Sequence, residues 1–424
     1  MRTLVIGSGG REHALVRTLL RDPEVSDVHA APGNAGMAAD ATIHQVDPAD
    51  GDAVADLAAR IDADLVVVGP EAPLVAGVAD AVRSRGIACF GPSAQAARLE
   101  GSKAFAKEIM AAANVPTAMA VVCDTSEEVA DALDRFGAPY VVKDDGLAAG
   151  KGVVVTDDRD TALAHAEACG RVVIEEYLDG PEVSLFCVTD GETVIPLPPA
   201  QDFKRAYDGD TGPNTGGMGA YSPLPWAPEG FVDDVLERIV TPTIAEMHRR
   251  GTPFVGALYT GLAIGSRGPR VVEFNARFGD PDIQPVFARL RSGLGGLLRA
   301  AATGELAEHP GLRWDDRAAV SVVIAAEGYP ESPRKGDPIQ GLEAAAALPD
   351  LEILHAGTRV DSAGVVVSSG GRVVSVTALG TDLDDARARA YQGVETITLA
   401  GSHYRSDIAL AAARGEVKLS AASG

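Results

Sequence analysis

Two short stretches of this 424-residue chain bring together residue types that can handle a metal ion and phosphate. The first is VVEFNARFGDPD, residues 271–282. On a strand Glu273 and Asn275 point to one face and Phe274 to the other, so two oxygen donors project together from an otherwise apolar run. Hard oxygens at that spacing suit Mg2+ or Mn2+ bound to substrate phosphates. Arg277 and Asp280 continue the polar edge just past the strand. A strand simply exposed on one face would look similar, but the preceding GALYTGLAI reads as a buried neighbour.

The second stretch is VVKDDGLAAGKGVVV, residues 141–155. It is not a P-loop. That motif has four residues between its glycines, a hydroxyl after the lysine and a helix beyond. Here Gly146 and Gly150 enclose three residues, Gly152 follows Lys151, and Val153-Val154-Val155 reads as a strand. The loop therefore joins two strands. A glycine hairpin can still lay amide groups over a polyphosphate, because without Cβ atoms its backbone approaches closely. Lys143 and Lys151 would supply charge. For this segment alone, an ordinary hairpin with two solvated lysines fits as well.

Three further loops follow apolar runs near the N-terminus: GSGGREHAL (7–15), APGNAG (31–36) and GPEAPL (69–74). The first opens a helix, where amide donors and the helix dipole favour an anion. It is not a dinucleotide fingerprint, since the third glycine position holds Glu12, which would obstruct and repel a pyrophosphate. Arg11 beside Gly9 and Gly10 suits a single phosphate gripped by its guanidinium. Asn34 and Glu71 sit in the other two loops, on the same sheet edge, so the three can converge on one sugar phosphate. In IEEYLDGPEVS (174–184) a strand runs into a turn carrying Glu175, Glu176 and Glu182. Its extended backbone could meet an adenine edge and a carboxylate could meet ribose hydroxyls, although an acidic surface strand is the better reading of that segment alone.

The elements that must position these residues are partly visible. In the first hundred residues short apolar runs ending in glycine or proline alternate with alanine-rich segments, the rhythm of βαβ units with ligands at the strand C-termini. Residues 102–113 read as a helix, 120–188 as a small α/β unit around the glycine hairpin, and 189–302 as a larger unit interrupted by QDFKRAYDGDTGPNTGGMGAYSP. A polar loop of that length is functional or disordered. From about Arg313 three strands and a helix rich in alanine and arginine complete the chain.

Composition narrows the classes. Hydrophobic residues make 46% and charged residues 23%, as in folded proteins, and a chain of 424 residues should divide into two to four domains. A net charge of −23 argues against nucleic acid and anionic membranes, and no apolar run reaches bilayer length. Met1-Arg2 leads straight into a strand-like run, so no secretory leader is expected. The four cysteines lack metal-ligand spacing and fit reduced thiols in a cytosol.

Taken in order, GSGGREHA, APGNAG, GPEAPL, GSKAF, VVKDDGLAAGKGV, VIEEYLDGPEVS, DTGPNTGGMGAYSP and EFNARFGDP resemble the phosphoribosylamine–glycine ligase family, also called glycinamide ribonucleotide synthetases, over essentially the whole chain. HAGT and SSGGRV fit its C-terminal domain. The resemblance implies an α/β and α+β multidomain protein of the ATP-grasp fold. Residues 1–101 would form a Rossmann-like parallel sheet, 102–119 a helical connector, 120–188 the lid, 189–302 the central domain and 313–424 a small β-rich domain. The glycine hairpin would then belong to a lid over ATP. By the same resemblance Lys103 and Lys143 would hold α and β phosphates, with amides of Gly146 to Gly152 over the triphosphate. Glu175, Glu176, Tyr177 and Leu178 would form the adenine hinge and Glu182 would bind ribose. Glu273 and Asn275 would bind Mg2+ or Mn2+. Gly9, Gly10, Arg11, Asn34 and Glu71 would hold phosphoribosylamine, with Asn214, Thr215 and Gly216 also at the substrates. Arg277, Asp280 and Asp210 would stand at the reacting centre. The implied substrates are glycine, 5-phosphoribosylamine and ATP, in a cytoplasmic monomer that binds neither nucleic acid nor membrane.

Three features depart from the family pattern. Asp144 replaces a usual alanine beside Lys143. Phe203 replaces the imidazole of a DHKR motif, written Asp202-Phe203-Lys204-Arg205 here, and the segment between Val155 and Val172 lacks a second glycine-bearing loop. The rival readings are another ATP-grasp ligase, which would not be expected to share DTGPNTGGMGAYSP, a nicotinamide oxidoreductase, which Glu12 disfavours, and a catalytically dead nucleotide sensor, which the intact lysines and Glu273/Asn275 disfavour.

Overall fold

The structure, a computed structural model, describes residues 1–147 and 152–419. Gly150 and Lys151, two of the expected nucleotide contacts, lie outside the described residues.

Strands β1 (Arg2–Gly7), β2 (Asp27–Pro32), β3 (Thr42–Ile43), β4 (Leu65–Val68) and β5 (Ala88–Phe90) form a parallel sheet in the order β3-β2-β1-β4-β5. Its central strands are apolar along their length because helices cover both faces: Leu4, Val5 and Ile6 are fully buried. Consecutive strands fill one half of the sheet and then cross to the other beside β1. The loops after β1, β2 and β4 therefore emerge next to one another at the switch point where open α/β sheets bind ligands.

The helix Lys103–Ala112 leads to a four-stranded sheet of β6 (Ala120–Cys123), β7 (Tyr140–Asp144), β8 (Val153–Thr156) and β9 (Val172–Glu175), ordered β6-β9-β7-β8. β7 and β8 are antiparallel neighbours, so the glycine loop does join two strands, and Asp144 N–H closes onto Gly152 O at 2.7 Å. The helices Ser126–Phe136 and Arg159–Cys169 cover this sheet with a small separate core that includes Val129, Leu133, Val142 and Ile174. The second of these helices occupies most of the shortened stretch between Val155 and Val172.

The chain continues through β10 (Glu182–Asp190), β11 (Val194–Pro196), β12 (Gln201–Asp202), β13 (Arg205–Tyr207), β14 (Thr211–Asn214), β15 (Gly219–Ser222), β16 (Val255–Gly265) and β17 (Gly268–Asn275). Residues up to Val188 are expected from sequence to belong with the lid. Instead β10 pairs along its whole length with β16, from Glu182↔Ala263 to Asp190↔Val255, in an antiparallel sheet ordered β11-β10-β16-β17. An apolar strand takes the partner that matches its length and buries both faces, and β16 is the long apolar strand available. The glycine-rich stretch from Gln201 is also more ordered than a loop. β13 and β14 make a hairpin, while β12 and β15 join β18 (Ala318–Ala325), β19 (Leu351–His355) and β22 (Arg372–Gly380) in a sheet ordered β12-β15-β18-β22-β19. The small strands β20 (Thr358–Val360) and β21 (Val366–Ser368) pair beside it. Residues expected in the central domain thus complete the C-terminal sheet.

Candidate active site

β17 carries Glu273 and Asn275 on one face as the alternation demands, with Asn275 Nδ2 at 3.5 Å from Glu273 Oε1. Burial disfavours the Glu273 carboxylate, but Lys204, Lys143 and Lys103 nearby hold its pKa below the ordinary value. An ionised carboxylate and an amide oxygen fit a hard divalent cation. Among the described residues no three His, Cys, Asp or Glu side chains converge at metal-binding distance.

Three lysines face this strand or its neighbours. Lys103, in the first turn of its helix, donates to Gly146 O at 3.0 Å. The same helix start is tied to the hairpin by Asp145, whose Oδ1 accepts from Ser102 Oγ and Ala104 N, each at 3.0 Å. Lys143 is nearly buried and reaches Glu175 Oε2 at 2.8 Å and Val272 O at 2.8 Å. Lys107, which the sequence reading did not single out, meets the other oxygen of Glu175 at 3.0 Å. Burial and Lys143 lower the Lys107 pKa, opposed by Glu175.

Glu175 was expected in the adenine hinge, but its side chain is turned inward to these lysines. The backbone from Glu176 to Asp179 lies outside any ladder. Glu176 is pinned to Met119, its N–H donating to Met119 O at 3.0 Å and its Oε1 accepting from Met119 N at 3.0 Å. Tyr177 is 49% exposed, and Leu178 is partly exposed. Glu182, expected at ribose, pairs with Lys204 Nζ at 2.6 Å. Although burial opposes its charge, Lys204 is pushed to a higher pKa by Glu182 and Asp202.

At the N-terminal loops, Glu12 folds back as a helix cap, its Oε2 accepting from Gly9 N at 2.6 Å. A methyl group at Gly7 or Gly69 would overlap its side chain, which is why both positions lack one. The bidentate phosphate grip expected of Arg11 is not what its guanidinium makes. It lies buried against Glu12 (2.5 Å) and Phe278 O (3.0 Å), because Glu12, folded under the loop, offers the nearest countercharge. Asn34 is likewise engaged, donating to Ser8 O and His355 O at 2.9 Å each and accepting from Met37 N. The Gly9 amide is thus taken by Glu12 and the Arg11 amide by Asp280.

Arg277 links this region to β17. Its guanidinium lies 3.3 Å from Glu71 and 2.9 Å from Glu100, another residue that sequence reading missed. Asp280 accepts from Arg11 N at 3.3 Å and Gln284 Nε2 at 2.8 Å, with Arg372 at 3.7 Å. Against burial, Arg372 and Arg11 hold the Asp280 pKa below its ordinary value. Arg372 also donates to Gly216 O at 2.6 Å, drawing the Thr215–Gly217 turn to the same place. Two expectations come apart here. Asp210 points to Arg405, 2.7 Å away, because that almost fully buried guanidinium needs carboxylates, and Asn214 sits opposite Arg205 in the β13–β14 hairpin. Phe203, where an imidazole was expected, lies under the same Arg405, with the cation 4.9 Å from its ring centre. A buried chain of Ser184, Asp282 and Tyr259, with Ser184 Oγ 2.5 Å from Asp282 and 2.9 Å from Tyr259 Oη, was not foreseen. Its members are spread over three segments that only the fold unites.

Models of the phosphoribosylglycinamide synthetase N, ATP-grasp (A) and C domains match residues 1–100, 101–283 and 319–411. The chain belongs to the phosphoribosylglycinamide synthetase family. It is 66% identical to the phosphoribosylamine–glycine ligase of Streptomyces coelicolor over 97% of this chain and 100% of that protein. To the enzyme of the same name from Mycobacterium tuberculosis it is 58% identical over 99% of this chain and 100% of the other. The crystal structure of the Thermotoga maritima phosphoribosylamine–glycine ligase superposes with a TM-score of 0.84 at 32% identity, covering 96% of this chain and 100% of that one. A biotin carboxylase from Campylobacter jejuni shares the fold at 15% identity with a TM-score of 0.72, covering 95% and 92% of the two chains. In phosphoribosylglycinamide synthetase terms, the β17 edge and the β7–β8 sheet both lie within the segment matched by the ATP-grasp model.

Proposed function

We propose that this chain is an ATP-dependent ligase that joins glycine to 5-phosphoribosylamine, giving glycinamide ribonucleotide, ADP and phosphate in purine biosynthesis. The observation that carries the reading is Arg277. It joins the strand bearing Glu273 and Asn275 to the Glu71 loop, so a triphosphate cleft and the sugar-phosphate loops open onto one centre.

A carboxylate is a poor acylating agent. An oxygen of the glycine carboxylate attacks the γ-phosphorus, the bond to ADP breaks, and glycyl phosphate results. The amine of phosphoribosylamine then attacks the acyl carbon, phosphate leaves and the nitrogen gives up a proton. The protein supplies position and charge rather than covalent chemistry. Lys103 and Lys143 offer ammonium donors to the phosphates, and the Glu176–Asp179 backbone offers amide and carbonyl groups to adenine. The Gly10 amide, where the loop turns into its helix, meets the ribose phosphate, and Asp280 with the Thr215–Gly217 turn borders the acyl transfer. Glu273 and Asn275 would hold Mg2+ or Mn2+, which supplies neutralisation of the triphosphate charge. The lid sheet closes above, excluding water from an acyl phosphate that water would destroy. Among the described residues no helix is long and apolar enough to cross a membrane. We place the enzyme in the cytoplasm as a monomer.

The test is ADP release with glycine and freshly generated phosphoribosylamine, each omitted in turn. Release should require both, because the N-terminal loops would be idle in a glycine kinase or an ATPase. Equal release without the ribosylamine would overturn the reading.

A further inference from the structure

Glu175 is a nearly buried carboxylate shared by two lysines, and the two lysines differ in how fully they are used. Lys107 Nζ has three partners, Glu175 Oε1 at 3.0 Å, Thr117 Oγ1 at 2.9 Å and Ala118 O at 3.0 Å. An ammonium has three N–H groups, so Lys107 is saturated. Lys143 Nζ has two partners among the described residues, Glu175 Oε2 and Val272 O, both at 2.8 Å. Val272 adjoins Glu273, so the Lys143 ammonium lies beside the edge proposed to hold the metal. One carboxylate and two ammonium groups sum to a net positive charge in a buried place, which the neighbouring Glu273 shares through Lys143 and a bound phosphate would share as well.

We propose that Lys107 is a positioning residue for the nucleotide: it retains the Glu175 carboxylate when Lys143 turns its ammonium from Glu175 to a phosphate. This rests on the reading that ATP occupies this cleft. Without Lys107, Glu175 would have Lys143 as its one countercharge, and every ATP that recruited Lys143 would strand a buried carboxylate. The hand-over therefore needs a lysine that never touches the nucleotide. Such a residue acts on affinity for ATP through a competing ion pair and leaves the chemical step alone.

Steady-state kinetics with ATP varied, and melting temperature as a check on folding, test this on the full chain. Lys107→Met should raise the KM for ATP about tenfold, the size of one charge-assisted contact, with kcat within about twofold of the parent. Adding Glu175→Gln to that variant removes the competitor and should return the KM to within about threefold of the parent. A merely structural Lys107 would lower the melting temperature and gain nothing from the second change. Glu175→Gln alone, which keeps the shape and frees Lys143, should leave the ATP KM equal or lower. An unchanged KM in Lys107→Met, no recovery in the double variant, or a raised KM in Glu175→Gln would each overturn the proposal. Lys143→Met separates the two ideas. If it leaves the ATP KM unchanged, the nucleotide does not meet Lys143 and the reading of the cleft fails. If it raises the KM while Lys107→Met does not, the hand-over alone fails.

Discussion

At the scale of single residues, Glu273 is where charge is most finely balanced. Burial works against its ionisation, and Lys204, Lys143 and Lys103 outweigh it, holding its pKa below the ordinary value. Glu273→Gln keeps the shape and removes the charge. The expected outcome is a loss of at least about tenfold in kcat at limiting magnesium, with little change in melting temperature. Unchanged turnover in a magnesium titration would make Glu273 a bystander. The pair Glu273 and Asn275 was legible because strand alternation is local and oxygen donors in an apolar run are conspicuous. Lys107, Glu100 and Asp282 were not. A lysine on an alanine-rich helix reads as solvated, and Glu100 becomes an arginine partner only when Arg277, 177 residues later, is brought to it. Arg11 misled for a related reason: sequence shows a guanidinium beside a glycine loop, but not that Glu12 folds under the loop to claim it.

At the scale of elements, the helix Lys103–Ala112 carries two of the lysines just discussed and is fixed at its start by Ser102. That hydroxyl accepts from Phe105 N at 3.1 Å and donates to Asp145 at 3.0 Å, so one side chain both caps the helix and ties it to the turn after β7. Ser102→Ala should cost about 1 kcal/mol of stability in chemical denaturation and raise the ATP KM, since Lys103 follows the cap directly. Loss of stability with an unaltered KM would mean that the cap does not position Lys103. The parallel N-terminal sheet and the β7–β8 hairpin were legible because each depends on neighbours close in sequence. Partner choice between distant strands was not. Nothing local tells β10 to join β16 rather than the lid, or tells β15 to lie against β18, about a hundred positions away. What decides is the face left to bury once other strands have paired.

At the scale of the whole molecule, the first and last parts of the chain meet through buried histidines. His355 N donates to His13 Nδ1 at 2.8 Å, His13 Nε2 faces Asp40 at 2.9 Å, and Asn34 reaches His355 O. His355 Nδ1 lies 3.0 Å from Thr358 Oγ1, and a methyl at Gly36 would strike both rings. Burial first, then His13 and Arg17, against the attraction of Asp40, bring the His355 pKa down from 6.5 to about 4. The imidazole is therefore neutral in the fold and protonated in the unfolded chain over that interval. The unfolded state then binds more protons, so stability rises with pH there. The contribution is complete above about pH 6.5 and is lost as pH falls through that value towards 4, up to roughly 3 kcal/mol in all. Asp40, whose pKa lies below its ordinary value of 3.8, loses its contribution at lower pH still. His44, His309 and His403 are also shifted down and add to the same slope, so the comparison with a variant is what isolates His355. His355→Gln keeps a polar partner for Thr358 and cannot take up the proton. Denaturant titrations between pH 4 and 7 should show its stability below the parent's at neutral pH and its pH slope flatter, the two curves converging as the pH approaches 4. Parallel curves across that range would mean that His355 takes up its proton alike in the folded and the unfolded chain, so that its charge does not gate the contact between His13 and β19.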